Sequence, residues 1–87
     1  MREIRWNLLK SERLKKTRGV SFEEILQTKL VSVKRHPKKA HQSVMLFEHK
    51  RYVWVVPFVE EEGGDLFLKT LYPSRQLTKI YRKEGKL

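Results

Sequence analysis

Lys69, Arg75 and Tyr81 are spaced six residues apart in the stretch KTLYPSRQLTKIY, where a strand-like run passes through Pro73 into apolar residues at helical spacing. Arg75 falls in the first turn of the predicted helix. A cation there opposes the macrodipole unless an anion is present, and helix N-termini bind phosphates readily. Lys69 stands in an apolar row with Phe67 and Leu71, and either snorkels at the sheet edge or projects into the concavity of a twisted sheet. Tyr81 fits the apolar stripe of the helix, so packing accounts for it at least as well as chemistry does. A second set lies in HPKKAHQ, where His36 and His41 flank Lys38 and Lys39. Imidazoles titrate near neutrality and can move protons in phosphodiester cleavage, while neighbouring lysines hold the backbone. The same residues also read as a solvated basic loop. His49, beside Lys50 and Arg51 at a tight connection, reads as exposed.

Other chemistries find no support. The chain has no Gly-rich phosphate loop, no H-E-x-x-H pair and no G-x-S-x-G elbow. Glu60, Glu61, Glu62 and Asp65 surround a Gly-containing turn, and a solvated acidic tip is a better reading than a cation site. A two-metal nuclease would need carboxylates spread over a sheet, and the predicted strands carry only Glu3 and Glu48. With no cysteine, disulfides, thiol redox chemistry and Cys-ligated zinc are excluded. Trp6 and Trp54 could stack on bases but lie on predicted core faces.

The 87 residues fit one domain, residues 1–87, with a modest core. With 39% hydrophobic and 34% charged residues the chain is globular rather than disordered. A balance of 20 Lys+Arg against 10 Asp+Glu, net +10, favours polyanionic partners through counterion release. Nucleic acid, or an acidic protein that imitates it, leads; a membrane surface ranks lower, because no long basic amphipathic helix is evident. The first residues lack the apolar core of a signal peptide and no run approaches membrane-spanning length, so the cytoplasm is the expected compartment.

The elements that must position these residues follow from periodicity and caps. REIRW reads as a short strand, and NLLKSERLKKTRG as a helix with Asn7 as N-cap and Gly19 as stop. Ser21 and Glu24 form an S-x-x-E capping box that opens a helix in SFEEILQTKL. LVSVKR is a strand, then SVMLFEH, RYVWVVPFVE and LFLKTLY form an antiparallel meander. In the middle strand Tyr52, Trp54, Val56 and Phe58 share one face and Val53, Val55 and Val59 the other, which predicts a central position. Pro57 predicts interrupted pairing on one side. The last helix starts at an N-cap Ser74, carries a Leu77, Ile80, Tyr81 stripe and ends near Gly85. The class is α+β: two N-terminal helices and a C-terminal helix on a small, mostly antiparallel sheet.

In the segments IRWNLLK, RGVSFEEI, YVWVVPFV and YPSRQLT, taken in order from about residue 3 to 82, the chain resembles the BrnT-like toxins of bacterial type II toxin–antitoxin systems. The resemblance implies a RelE-like fold, a small twisted sheet with helices on one side. It also implies a metal-independent ribonuclease without cofactor, neutralised by a cognate antitoxin. Such an enzyme turns a ribose 2′-OH on the adjacent phosphodiester, leaving a 2′,3′-cyclic phosphate and a 5′-hydroxyl, and cations stabilise the transition state. By position, Arg75 matches the arginine of the closing motif, for phosphate charge, and Lys69 on the strand leading to it is assigned charge or proton transfer. His41 is the candidate acid or base, and Lys38, Lys39 and Arg51 the candidate RNA-backbone contacts. Gln76 stands where the motif usually has lysine, which removes one cation.

The partners that follow are RNA, free or on the ribosome, and an antitoxin bringing an acidic or amphipathic segment. Operator DNA would be reached only through the antitoxin, because this chain has no convincing helix-turn-helix. Two alternatives stay open: a basic RNA- or ribosome-binding module without catalysis, and a structural component acting through protein partners.

Overall fold

A computed structural model of the chain describes residues 3–35, 38 and 42–87. Its elements run β1 (Ile4–Arg5), α1 (Leu8–Arg18), α2 (Phe22–Ile25), β2 (Lys29–Arg35), β3 (Gln42–His49), β4 (Tyr52–Glu60), β5 (Leu66–Leu68), β6 (Tyr72–Pro73) and α3 (Arg75–Lys83). The class is α+β, with one sheet ordered β1-β5-β4-β3-β2 and β6 also paired to β4. All pairings are antiparallel except β1 with β5.

Local signals set the helix boundaries. The Asn7 side chain accepts from the Lys10 N–H at 3.0 Å, and Gly19, at φ 81°, closes α1 in the left-handed conformation. Ser21 and Glu24 form the reciprocal capping box at the start of α2. This helix is shorter than the sequence predicts, a single turn. The N–H of Thr28 and its hydroxyl both donate to the Ile25 carbonyl, which turns the chain out so that Lys29 can enter β2.

β4 is the centre of the molecule, paired with β3 along one edge and with β5 and β6 along the other. Trp54, Val56 and Phe58 pack with Leu14 of α1, Phe22 and Ile25 of α2, and Met45, Phe47 and Leu68. On the opposite face Val53 and Val55 pack with Leu46 and Tyr81, and Leu77 adjoins them. The helices are therefore divided between two faces rather than gathered on one, as the resemblance implied. The physical reason is in β4 itself, which is apolar on both sides and must be covered on both.

The run LFLKTLY is not one strand. From Phe58 to Val55, β4 advances three positions while its partner advances four, from Leu68 to Tyr72. One extra residue is therefore accommodated as a bulge between β5 and β6. It faces Pro57, whose carbonyl accepts from the Lys69 N–H at 2.8 Å but which has no N–H to return. The Arg18 guanidinium reaches across from α1 and donates to the Leu71 carbonyl. The bulge lets Leu68 and Leu71, three residues apart, enter the same core, and it separates Leu71 from the row predicted for Phe67 and Lys69.

Two polar features tie the fold. The hydroxyl of buried Ser11 accepts from the Phe22 N–H at 3.0 Å and donates to Glu23, whose other carboxylate oxygen accepts from the Trp6 indole at 2.9 Å. The acidic hairpin tip also has a structural part, for the Asp65 carboxylate accepts from the Glu3 N–H at 3.1 Å beside the β1–β5 pairing. Between β3 and β4, His49 pairs with Tyr52 across a two-residue turn, and both Lys50 (φ 53°) and Arg51 (φ 61°) are left-handed. That is the geometry of a type I′ turn, which favours Asn-Gly over these two side chains.

The hydrogen bond from Ser11, then its helical backbone donor and the Trp6 indole, hold the Glu23 carboxyl below its ordinary 4.5. A depressed folded pKa contributes stability above the unfolded value that is lost as pH falls through the folded one. Glu23→Gln is therefore expected to lower the urea midpoint at pH 7, with the gap to wild type narrowing below about pH 4.5. Replacing Lys50 and Arg51 together by Asn-Gly is expected to stabilise the fold by about 1 kcal/mol in the same titration, through relief of left-handed strain.

Candidate functional site

The N-terminus of α3 is fixed to the middle of the sheet by hydroxyls. Ser74 caps the helix by accepting from the Leu77 N–H at 3.1 Å, and its own N–H donates to the Val53 carbonyl at 2.8 Å. Thr78, 2% exposed, accepts from the Val53 N–H at 2.9 Å and donates to the Ser74 carbonyl at 2.6 Å. Thr78 thus supplies the acceptor that the ladder does not offer to Val53. It also replaces Ile80 in the expected buried stripe: Leu77, Thr78 and Tyr81 face the sheet, and Ile80 is 41% exposed.

Held this way, the first turn of α3 forms one wall of a groove of about 320 Å³. Val44, Leu46 and Val55 contribute its apolar floor, Lys34 and Arg35 the opposite wall, and Tyr72, Ser74 and Gln76 the helix side. Arg75 lies between Ser74 and Gln76 at the first helical position and is exposed. Among the described residues no carboxylate or imidazole lines the groove, and Lys34, Arg35 and Arg75 make no ion pair. The α3 first turn also lacks an acidic residue. Chemically the groove can hold an anion with the cations of Lys34 and Arg35 over an apolar base, and it contains one phenol, Tyr72, able to donate or accept a hydrogen bond.

The residues singled out in the sequence are distributed as follows. Lys69 and Arg75 do not share a site. Lys69 bonds through its N–H to Pro57 and Ser74 to Val53, four residues away along β4, about 13 Å at strand rise. Lys69 is exposed beside α1, with its ammonium 5.8 Å from the Phe67 ring centre. Arg51 stands in the β3–β4 turn, where its carbonyl accepts from the Arg82 guanidinium at 3.3 Å. Lys38 is exposed at a bend between β2 and β3; Lys39 and His41 lie outside the described residues. Tyr81 is buried in the α3 core, with the Lys86 ammonium 5.4 Å from its ring centre. Among the described residues no group of three or more His, Cys, Asp or Glu is arranged to hold a metal ion, and no helix is long and apolar enough to cross a membrane.

Lys34, Arg35 and Tyr72 were missed as groove residues. The signal for the first two was the basic end of LVSVKR running into HPKKAHQ, but their place opposite α3 depends on β2 lying beside β3, which no local pattern reports.

Thr78→Val is expected to leave the Val53 N–H buried without an acceptor, at a cost of about 1–3 kcal/mol in unfolding free energy, whereas Thr78→Ser keeps most of it. Thermal and urea unfolding of the two variants beside wild type measure the difference. Comparison with protein-family models, with curated proteins and with solved structures finds no match to this chain.

Proposed function

We propose that the chain is the toxin of a type II toxin–antitoxin pair, a ribonuclease that takes RNA into the groove at the start of α3. The observation that carries the reading is the cationic groove itself, where Lys34 and Arg35 face the first turn of α3 without a carboxylate among the described residues lining it. RNA phosphates are the polyanion that a net charge of +10 would gather, and the apolar floor offers room for a sugar or base edge. Arg75, Lys34 and Arg35 take the roles of charge stabilisers. A ribose 2′-oxygen attacks the adjacent phosphorus, the bond to the 5′-oxygen breaks, and the products are a 2′,3′-cyclic phosphate and a 5′-hydroxyl. The 2′-OH proton leaves to a base and a proton reaches the departing 5′-oxygen, the part assigned to His41 from the sequence. Lys38, Lys39 and Arg51 assist on the RNA backbone. A cognate antitoxin neutralises the groove with an acidic segment, and the cytoplasm is the compartment where both would meet RNA.

A second reading, RNA binding without cleavage, is favoured by one observation: among the described residues the groove holds no imidazole or carboxylate to accept the 2′-OH proton.

Induced expression in a bacterial host, with mapping of 5′-hydroxyl RNA ends, tests both. Wild type is expected to arrest growth and generate new ends. Arg75→Ala is expected to lower cleavage by about 10²–10³, the usual loss for one stabilising donor. If neither protein cleaves but Arg75→Ala reduces the salt slope of RNA binding by about one, the non-catalytic reading stands. Absence of both cleavage and RNA binding sinks the two together.

A further inference from the structure

On the other face of the sheet from α3, a cleft of about 350 Å³ opens between the first half of α1 and the end of β5. Lys10 and Arg13, three residues apart and so on one face of α1, line one side, and Lys69 lines the other. Leu9 and Phe67 supply apolar surface, and Asn7 an amide. Among the described residues no carboxylate lines this cleft and none of its three cations has an ion-pair partner. Three like charges brought together from two separate elements repel one another, and an anion relieves them.

Lys69 immediately precedes the bulge, its N–H still in ladder register on the Pro57 carbonyl at 2.8 Å. Bulges recur beside functional sites. Here the extra residue follows Lys69, and the Arg18 bond to Leu71 secures the far side of the distortion. The Lys69 ammonium rests over the Phe67 ring, 5.8 Å from its centre, which is where a cation sits when no stronger anion is bound. Movement of the ammonium onto an anion in the cleft would leave the aromatic face for a flat group.

We infer that this cleft binds a nucleotide unit, with its phosphate on Lys10, Arg13 and Lys69 and its base against Phe67 and Leu9. Phosphate is preferred over carboxylate because its oxygens can accept from all three cations at once, and a cleft of this volume is within the range of small-molecule sites. The inference does not require the groove at α3, since the two sites lie on opposite faces of the sheet. The same chemistry can come from a free nucleotide or from one residue of an RNA strand.

The test is amide-resolved NMR titration of the full chain with adenosine 5′-monophosphate and, separately, with a short oligouridylate. The monophosphate is expected to shift residues around Asn7, Lys10, Arg13 and Lys69, apart from any shifts that the oligouridylate causes in the α3 groove. Lys10→Gln and Lys69→Gln, which keep part of the stem, should each weaken monophosphate binding by about tenfold, as for loss of a charge-assisted hydrogen bond, while Lys29→Gln, at an exposed lysine that lines neither site, leaves it unchanged. If the monophosphate binds and the oligouridylate does not compete, the source is a free nucleotide; if the oligonucleotide displaces it, the source is RNA. No shifts at these cleft residues with either probe, or equal weakening by Lys69→Gln and Lys29→Gln, would overturn the site. Failure of RNA cleavage with these shifts intact would count against the function proposed for the groove and leave the cleft standing.

Discussion

The whole structure depends on one strand being buried on both faces. Six consecutive residues of β4, Val53 to Phe58, are buried, and they alternate between two separate cores. A chain of this length has little apolar surface to distribute, so both layers must be built from short elements: one turn of α2, part of α1 and a nine-residue α3. The division of the helices over two faces then divides the basic surface as well. One cationic depression forms beside α3 and another beside α1, each at the margin of a core rather than in it.

That arrangement leaves several backbone groups without a ladder partner, and polar side chains satisfy them. Thr78 accepts the Val53 N–H, Arg18 satisfies the Leu71 carbonyl, and Ser11 accepts the Phe22 N–H where α1 meets α2. Each is a side chain from one element serving the backbone of another. They act as fasteners between layers, and their positions decide where α1 and α3 sit over the sheet. Any function resting on Arg75 or Lys69 is therefore sensitive to residues that touch no ligand.

Local chemistry was legible in the sequence. The caps at Asn7, Ser21 and Ser74, the stops at Gly19 and Gly85, and the two apolar faces of β4 all depend on neighbours within a few residues, and all are present. The bulge between β5 and β6 was not legible from LFLKTLY, because it is set by the absent N–H of Pro57 on a different strand and by the burial of Leu71. For the same reason Lys69 was placed with Arg75. Thr78 was overlooked because a helical stripe is ordinarily counted in apolar residues, and its worth lies in one hydrogen bond to Val53. Beside the groove, Arg75 could be found from its position in the helix. Lys34 and Arg35 could not, since their approach to α3 is a product of strand order.

The parallel pairing of β1 with β5 has a consequence for biosynthesis. Ile4 pairs with Leu66 and the Glu3 N–H with Asp65, so β1 waits for a partner 62 residues further along the chain. Leu14, Phe22 and Ile25 emerge from the ribosome equally early, with no sheet yet made to cover them. The segment from β1 to α2 therefore carries apolar residues among many lysines and arginines but has no sheet to pack on until β4 and β5 are made.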